Sequence, residues 1–191
     1  MLLLVGLGNP GPKDINNRHN IGFRIIDSIN SHFKLSKQKP KFKGLLTTGL
    51  ISGHKVYAIK PLTFMNNSGT AIKELIDYFK IDAKDVIVFH DDLDIDFGKI
   101  KAKFAGSSAG HHGIDSIDKF IGKDYSRVRI GIGHPKNIKK VNNHVLEDFK
   151  EDEEDQIKEI ADNIVKLIPT LLEKKIDLFS SKVNSSLLSL I

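Results

Sequence analysis

Three short stretches of this 191-residue chain place chemically capable side chains just after apolar runs. Asn9 and His19 lie in the polar stretch that follows residues 2–7. Met65 and Asn66 lie in "PLTFMNNSG". Asp91 closes "DVIVFHD". A histidine oriented by a carboxylate is a general base, because its ordinary pKa lies near neutral pH and the carboxylate stabilises the imidazolium. Asparagine side chains can donate to a developing oxyanion, or hold a water, without adding charge. The chain has no cysteine and no convincing serine nucleophile, so the expected attacker is water.

Other motifs compete for attention. Gly6-Leu7-Gly8-Asn9-Pro10-Gly11 spells G-x-G-x-x-G after an apolar strand. A dinucleotide loop needs a helix opening at its third glycine and an acid ending a second strand about twenty residues on. Here Pro12 and "KDINN" follow, no helix can begin before His19, and the nearest acid, Asp27, falls inside a helical pattern. Gly106-Ser107-Ser108-Ala109-Gly110 fits G-x-S-x-G, and it makes a serine esterase using Ser108 the enzymatic rival. Its preceding strand, "KIKAKFA", is half polar, whereas a nucleophile elbow follows a buried central strand. "HDDLDID", with His111, His112 and His134, invites a metal reading through hard carboxylates. Adjacent residues on a strand point to opposite faces, so the run cannot converge as a whole. No metal and no cofactor are expected.

These groups need a scaffold. Residues 2–7 read as a buried strand, 21–33 as an amphipathic helix, and 45–51 with 55–59 as a hairpin turning at Ser52-Gly53. A helix is expected over 71–79, a strand over "DVIVFHD", another over "GKIKAKFA", a helix over 114–120 and a strand over "RVRIGIG". From Glu151 the period is helical, Pro169 should kink or end that helix, and the tail to Ile191 reads as another short helix. Alternating strands and helices predict an α/β fold, a single three-layer α/β/α domain with a central mixed sheet spanning residues 1–191. Ligands of such sheets bind outside the carboxyl ends of the strands, where the polar loops lie.

Charge is uneven. Residues 1–148 hold 23 lysines and arginines against 15 acids, a net of +8, whereas residues 149–191 hold 6 against 9, a net of −3. Lys34, Lys37, Lys39, Lys41 and Lys43 follow one another with no acid between, and Lys99, Lys101 and Lys103 form a second cluster. Such a field favours a polyanionic partner such as nucleic acid, though solvated surface lysines would give the same composition. No apolar run approaches the roughly 20 residues of a membrane span. The first residues lack the basic region of a signal peptide, so the chain reads as cytoplasmic.

The stretches "GLGNPG", "RHNIG", "PLTFMNNSG", "HDDLD", "GHHGIDSI" and "RVRIGIGHP" stand in the order and approximate spacing of bacterial-type peptidyl-tRNA hydrolases, which the chain resembles over nearly its whole length. The resemblance implies cleavage of the ester between a peptide, or an N-blocked aminoacyl group, and the 3′ end of tRNA. That reaction recycles tRNA from abandoned translation. It implies an α/β, metal-independent monomer with peptidyl-tRNA as its partner. By position, His19 is the proton acceptor, Asp91 keeps it basic and oriented, and Asn9 helps distinguish blocked from free aminoacyl ends. Phe64 and Asn66 contact the tRNA 3′ end or the peptide, Met65 lines that site, and Lys103 with Arg129 grips the tRNA phosphate end. Two positions depart from the pattern. Asp14 stands where the family usually has tyrosine, and His112 where its G-H-N-G has asparagine; both belong to the tRNA-contacting surface. The non-enzymatic rival is a tRNA- or ribosome-binding module that lost turnover.

Overall fold

The computed structural model describes residues 1–135 and 141–188. Thirteen helices and strands follow in order: β1 (Leu2–Gly6), α1 (Ile21–His32), β2 (Lys39–Lys41), β3 (Gly44–Ile51), β4 (His54–Pro61), α2 (Ser68–Phe79), β5 (Val86–Asp92), β6 (Ile100–Phe104), α3 (His112–Ile121), β7 (Ser126–Gly131), α4 (Val141–Leu146), α5 (Glu151–Leu172) and α6 (Ile176–Leu188). The strands form one seven-stranded sheet in the order β2-β3-β4-β1-β5-β7-β6. β1 runs parallel to β4 and β5, and β5 parallel to β7; the β2–β3, β3–β4 and β6–β7 pairs are antiparallel, so the sheet is mixed.

Alternation along the strands makes two cores. Leu2, Leu4, Ile87, Phe89, Val128 and Ile130 face α1, α5 and α6. Leu3, Val5, Val86 and Val88 face α2 and α3. Because both faces are covered, β1 is apolar up to Gly6 and β5 over Val86–Phe89, and β5 turns polar at His90–Asp92 while still paired with β7. The carboxyl ends of β1, β4 and β5 therefore open into the three polar loops beside one another. α1 presses directly on this region. A side chain at Gly6 would meet the carbonyl of Gly22, and one at Gly22 would meet the backbone of Leu7 and Phe89. That close approach fixes where the loop before α1 returns to the sheet.

Both sheet edges are protected. β2 carries exposed Lys39, Pro40 and Lys41, residue types that discourage another strand from adding. At the opposite edge α6 covers β6. Asn184 Oδ1 accepts from Ile100 N at 2.9 Å, its Nδ2 donates to Ile100 O at 2.7 Å, and Ser180 Oγ accepts from Ala102 N at 2.7 Å. Pro169 does not end α5, which runs three residues further to Leu172. Proline removes one N–H, but the turn beyond it still closes, with Glu173 N donating to Pro169 O at 3.1 Å. The expected last helix runs to Leu188; residues 189–191 lie outside the described residues.

Candidate active site

His19 sits in a one-turn 3-10 segment, Arg18–Asn20, immediately before α1. Its Nδ1 lies 2.8 and 2.9 Å from the two carboxylate oxygens of Asp91, at the end of β5. His19 is 8% exposed and Asp91 1%. Burial pulls the His19 pKa down, but the charge and hydrogen bond of Asp91, helped by the charge of Asp14, outweigh it, so the net shift is upward. Burial pushes the Asp91 carboxyl up; the charges and hydrogen bonds of His19 and His111 reverse this and hold it well below the usual carboxylate range. Asp91 is thus a buried carboxylate that stays ionised.

His111 is the residue that the sequence reasoning missed. Its Nε2 lies 3.0 Å from Asp91 Oδ1. Its Nδ1 accepts from Gly113 N at 3.1 Å and Ile114 N at 3.3 Å, which caps α3. A nitrogen that accepts two backbone N–H bonds carries no proton, so the proton of this ring is on Nε2 and is donated to Asp91. The two donors meet on Asp91 Oδ1, with His19 Nδ1 also against Oδ2, and the imidazole centroids lie 4.9 Å apart. The clue in the sequence was a histidine one residue before a helix, but the helix was expected at 114 and begins at His112.

Asn9 ties the first loop to the second. Its backbone N donates to Asn20 Oδ1 at 2.7 Å, its backbone O accepts from Asn20 Nδ2 at 2.9 Å, and its side-chain Oδ1 accepts from Met65 N at 3.0 Å. Its amide Nδ2 has no partner among the described residues. Met65 is buried beneath this corner. A side chain at Gly113 would collide with Met65 Sδ and Leu7 Cδ1, so the glycine lets α3 approach that layer. Phe64 is 72% exposed, and Asn66 is exposed beside it. Asp14 is half-buried and accepts from Asn17 Nδ2 at 3.0 Å. A cavity of about 100 Å³ opens over His19 and Asp91, with Asp92, Leu93, Ser108, His112 and Val145 among its walls. His112 is exposed at its rim.

Lys103 and Arg129 lie away from this cluster, on the face of the β6–β7 pair that packs toward α3. Lys101 stands opposite Arg129 in the register, and Lys103 opposite Arg127. Arg129 Nε donates to Asp92 Oδ2 at 2.6 Å, which joins the basic face to the cavity wall. Partial burial and the charges of Arg129 and Arg127 lower the Lys103 pKa.

The competing motifs resolve differently. Ser108 lines the cavity, but its Oγ accepts from Gly110 N at 3.3 Å, and no imidazole is bonded to it among the described residues. The "HDDLDID" carboxylates disperse: Asp91 to the histidines, Asp92 to Arg129, Asp94 to His134 and Asp96 to Lys99. Among the described residues one ligand-like group remains, His19, Asp91 and His111, with donor atoms within 4.8 Å of one another. Both imidazole nitrogens are aimed at the carboxylate itself, so they meet on an oxygen rather than on a shared vacant point. After Gly11 no helix begins until the His19 turn.

The family model described as Peptidyl-tRNA hydrolase matches residues 3–189. The chain belongs to the peptidyl-tRNA hydrolase family. It is 71% identical to the peptidyl-tRNA hydrolase of Pelagibacter ubique (strain HTCC1062) over 185 residues, 97% of this chain and 100% of that protein. It is 43% identical to that of Bacillus subtilis (strain 168) over 175 residues, 91% of this chain and 93% of the relative. The structure of peptidyl-tRNA hydrolase from Acinetobacter baumannii superposes with a TM-score of 0.90 at 32% identity, covering 96% of this chain and 94% of that one. The peptidyl-tRNA hydrolase fold is thus an α/β fold with a mixed sheet here too, and the chain is a hydrolase. Among the described residues no helix is long and apolar enough to cross a membrane.

Proposed function

We propose that this chain cleaves the ester joining a peptide to the 3′ end of tRNA by attack of a water that His19 deprotonates. The observation that carries the reading is the buried His19–Asp91 pair, made through Nδ1. Nδ1–H donated to an ionised carboxylate leaves Nε2 as the proton acceptor, and Asp91 stabilises the imidazolium that forms. Asn9 presents an amide whose oxygen is already held by Met65 N. Its free N–H groups can therefore donate to a carbonyl of a blocked aminoacyl end, which supports its role in telling blocked from free ends.

Phe64, Asn66, Asp14 and His112 frame the approach to His19 and form the surface for the tRNA 3′ region, with Met65 lining it from below. Lys103 and Arg129 take tRNA phosphates. Arg129 spends Nε on Asp92 and keeps its terminal nitrogens for a phosphate. The chain acts as a monomer and a single domain, residues 1–191, with the loops that carry these residues grouped around one sheet. Its place is the cytoplasm, where translation supplies the substrate.

The test is incubation with an N-blocked aminoacyl-tRNA beside the unblocked form, in EDTA. We expect cleavage of the blocked form alone, and a loss of at least about 10²-fold in His19→Ala, the reach of a general base. Cleavage of both forms, or full activity in His19→Ala, would refute the reading.

A further inference from the structure

Three consecutive side chains of the turn that carries His19 reach three different parts of the molecule. His19 goes to Asp91 on β5, and Asn20 goes to Asn9 after β1. Arg18 goes to the segment between α4 and α5. It is 2% exposed, and its guanidinium donates to Glu147 O at 3.2 Å, to Asp148 O, and to Glu153 Oε2 at 2.6 Å. It also lies 5.2 Å over the ring of Phe149. The backbones run together at the same place. Arg18 N donates to Glu147 O at 3.0 Å, and Asn17 pairs with Asp148. α4 ends one residue before Glu147 and brings Val145 to the wall of the catalytic cavity. One buried guanidinium thus joins the segment bearing the base to the segment bearing a wall of its pocket.

We propose that Arg18 is a positioning residue for the hydrolysis, holding the His19 ring in line with Asp91 and the Val145 wall at a fixed separation from it. The proposal rests on the reading of His19 as the base. A buried cation is costly unless its N–H groups are bonded. For stability alone, apolar side chains of similar volume often serve as well as a buried ion pair. What a planar fork adds is geometry: Nη1 takes two carbonyls and Nη2 a carboxylate in one rigid plane, whereas an ammonium is a single point charge on a flexible stem. Arg24 supplies an internal comparison. It bonds Glu154 at 2.9 and 2.6 Å and lies 5.6 Å over the same Phe149 ring, but it leaves from α1 and touches neither the His19 turn nor Glu147 and Asp148. The charged and titratable groups that bear on His19 itself are Asp91, His111 and Asp14, and neither arginine substitution alters them.

The experiment compares full-length Arg18→Met and Arg24→Met with wild type, well below their melting temperatures. It measures steady-state hydrolysis of an N-blocked aminoacyl-tRNA and the tautomer of His19 by long-range nitrogen–proton correlation. Both variants should lose thermal stability. Arg18→Met alone should lose about 10- to 10²-fold in kcat, the cost of misplacing a catalytic group by about an ångström, with a smaller change in KM. Its His19 signal should shift from the Nδ1–H form toward Nε2–H, and Arg18→Lys should recover part of kcat. An Arg18→Met variant with the kcat and tautomer of Arg24→Met would overturn the proposal. If Arg18→Met does not fold, Glu153→Gln, which weakens one of the three guanidinium bonds, should show the same split at smaller amplitude; unchanged kcat and tautomer there would overturn it equally. His19→Ala, assayed alongside, separates the two readings. Activity in His19→Ala would sink the base assignment, whereas an inactive His19→Ala beside an unaffected Arg18→Met would sink only the role of Arg18.

Discussion

Replacing Asp91 by asparagine looks conservative, but the bonding around it makes the change severe. Asp91 Oδ1 accepts from both His19 Nδ1 and His111 Nε2, at 2.8 and 3.0 Å, and Oδ2 lies 2.9 Å from His19 Nδ1. An amide keeps one acceptor oxygen and puts an NH₂ in place of the other. His111 cannot adapt, because its Nδ1 is committed to the N–H groups of Gly113 and Ile114. The asparagine oxygen therefore stays with His111 at the Oδ1 position, and its NH₂ takes the Oδ2 position against His19 Nδ1. That NH₂ opposes Nδ1–H and favours a His19 that accepts at Nδ1 and carries its proton on Nε2, which removes the base. The opposite amide orientation would set NH₂ against the His111 Nε2–H, leaving buried donors unpaired at about 1–3 kcal/mol. That gap disfavours the working tautomer by about 5- to 150-fold. Loss of the charge that stabilises the imidazolium adds about another 10²-fold. Asp91→Asn should thus lose about 10³- to 10⁴-fold in kcat, the scale reached when the same tautomer error is imposed on a Ser-His-Asp triad.

A second substitution at His111 separates a tautomer error from simple loss of charge. In Asp91→Asn/His111→Ala the amide is released from His111 and can offer its oxygen to His19 Nδ1–H, so kcat should rise above that of Asp91→Asn alone. His111→Ala by itself should lower activity and cost about 1 kcal/mol of stability through the lost cap of α3. Single-turnover hydrolysis of a blocked aminoacyl-tRNA by the four proteins closes the cycle. Additive losses, with no recovery in the double variant, would refute the tautomer argument. Residual activity in Asp91→Asn should also show its acid limb at lower pH, since removing the carboxylate lowers the His19 pKa.

Other expectations follow from the same contacts. Lys103→Ala should raise KM for full-length substrate and flatten its salt dependence, while a short substrate without the tRNA body is unaffected, because phosphate contacts release counterions; equal losses on both would remove Lys103 from tRNA binding. Arg129→Ala should affect both substrates, because it strips buried Asp92 of its charged partner at the cavity wall and leaves the carboxylate only the N–H of Asp94. The raised His19 pKa stabilises the fold fully below about pH 6.5, the unfolded value, and that contribution fades as pH rises through the folded pKa; the depressed Asp91 pKa contributes above about pH 4 and fades as pH falls through its folded value. The Tm difference between wild type and His19→Ala should therefore be larger near pH 5.5 than near pH 8.5, and a constant difference would exclude the ion pair as a source of stability. His112→Asn should be nearly silent at neutral pH and His112→Ala should lose about 1 kcal/mol in kcat/KM, one hydrogen bond's worth; a loss of about 10²-fold in His112→Asn would make His112 an acid–base group instead.

Legibility in the sequence followed apolar patterning. β1 and β5 announced themselves as continuous apolar runs, and α1 and α5 by their helical spacing, because burial decides those positions. β2 did not, since Lys39, Pro40 and Lys41 have no face in the core and pair only through backbone. α4 did not either, being only six residues long with polar and apolar residues in equal number. The site was legible as residue types beside strand ends. The pairing of His19 with Asp91, 72 residues apart, came from the order of motifs rather than from any local rule. His111 and Arg18 escaped for a shared reason: their roles lie in which backbone groups they meet, and that depends on where α3 begins and where α4 returns.

The two departures from the family pattern become intelligible once commitments are counted. His111 has both ring nitrogens spent, on Asp91 and on the first N–H groups of α3, so no other side chain fits without loss at two places. His112, its neighbour, is exposed at the cavity rim with neither nitrogen bonded among the described residues. The motif can therefore read histidine or asparagine there, provided that a donor faces the substrate. Asp14 is intermediate. It has exchanged a phenol for a charge that binds Asn17 within its own loop and supports the basicity of His19, while placing a negative charge on a surface that receives a polyanion. A gain in base strength and a loss in phosphate attraction at one residue predict opposite signs in two measurements. Asp14→Asn should lower the acid limb of the pH–rate profile while tightening KM at low salt. A change in either one alone would show that only the corresponding half of the argument holds.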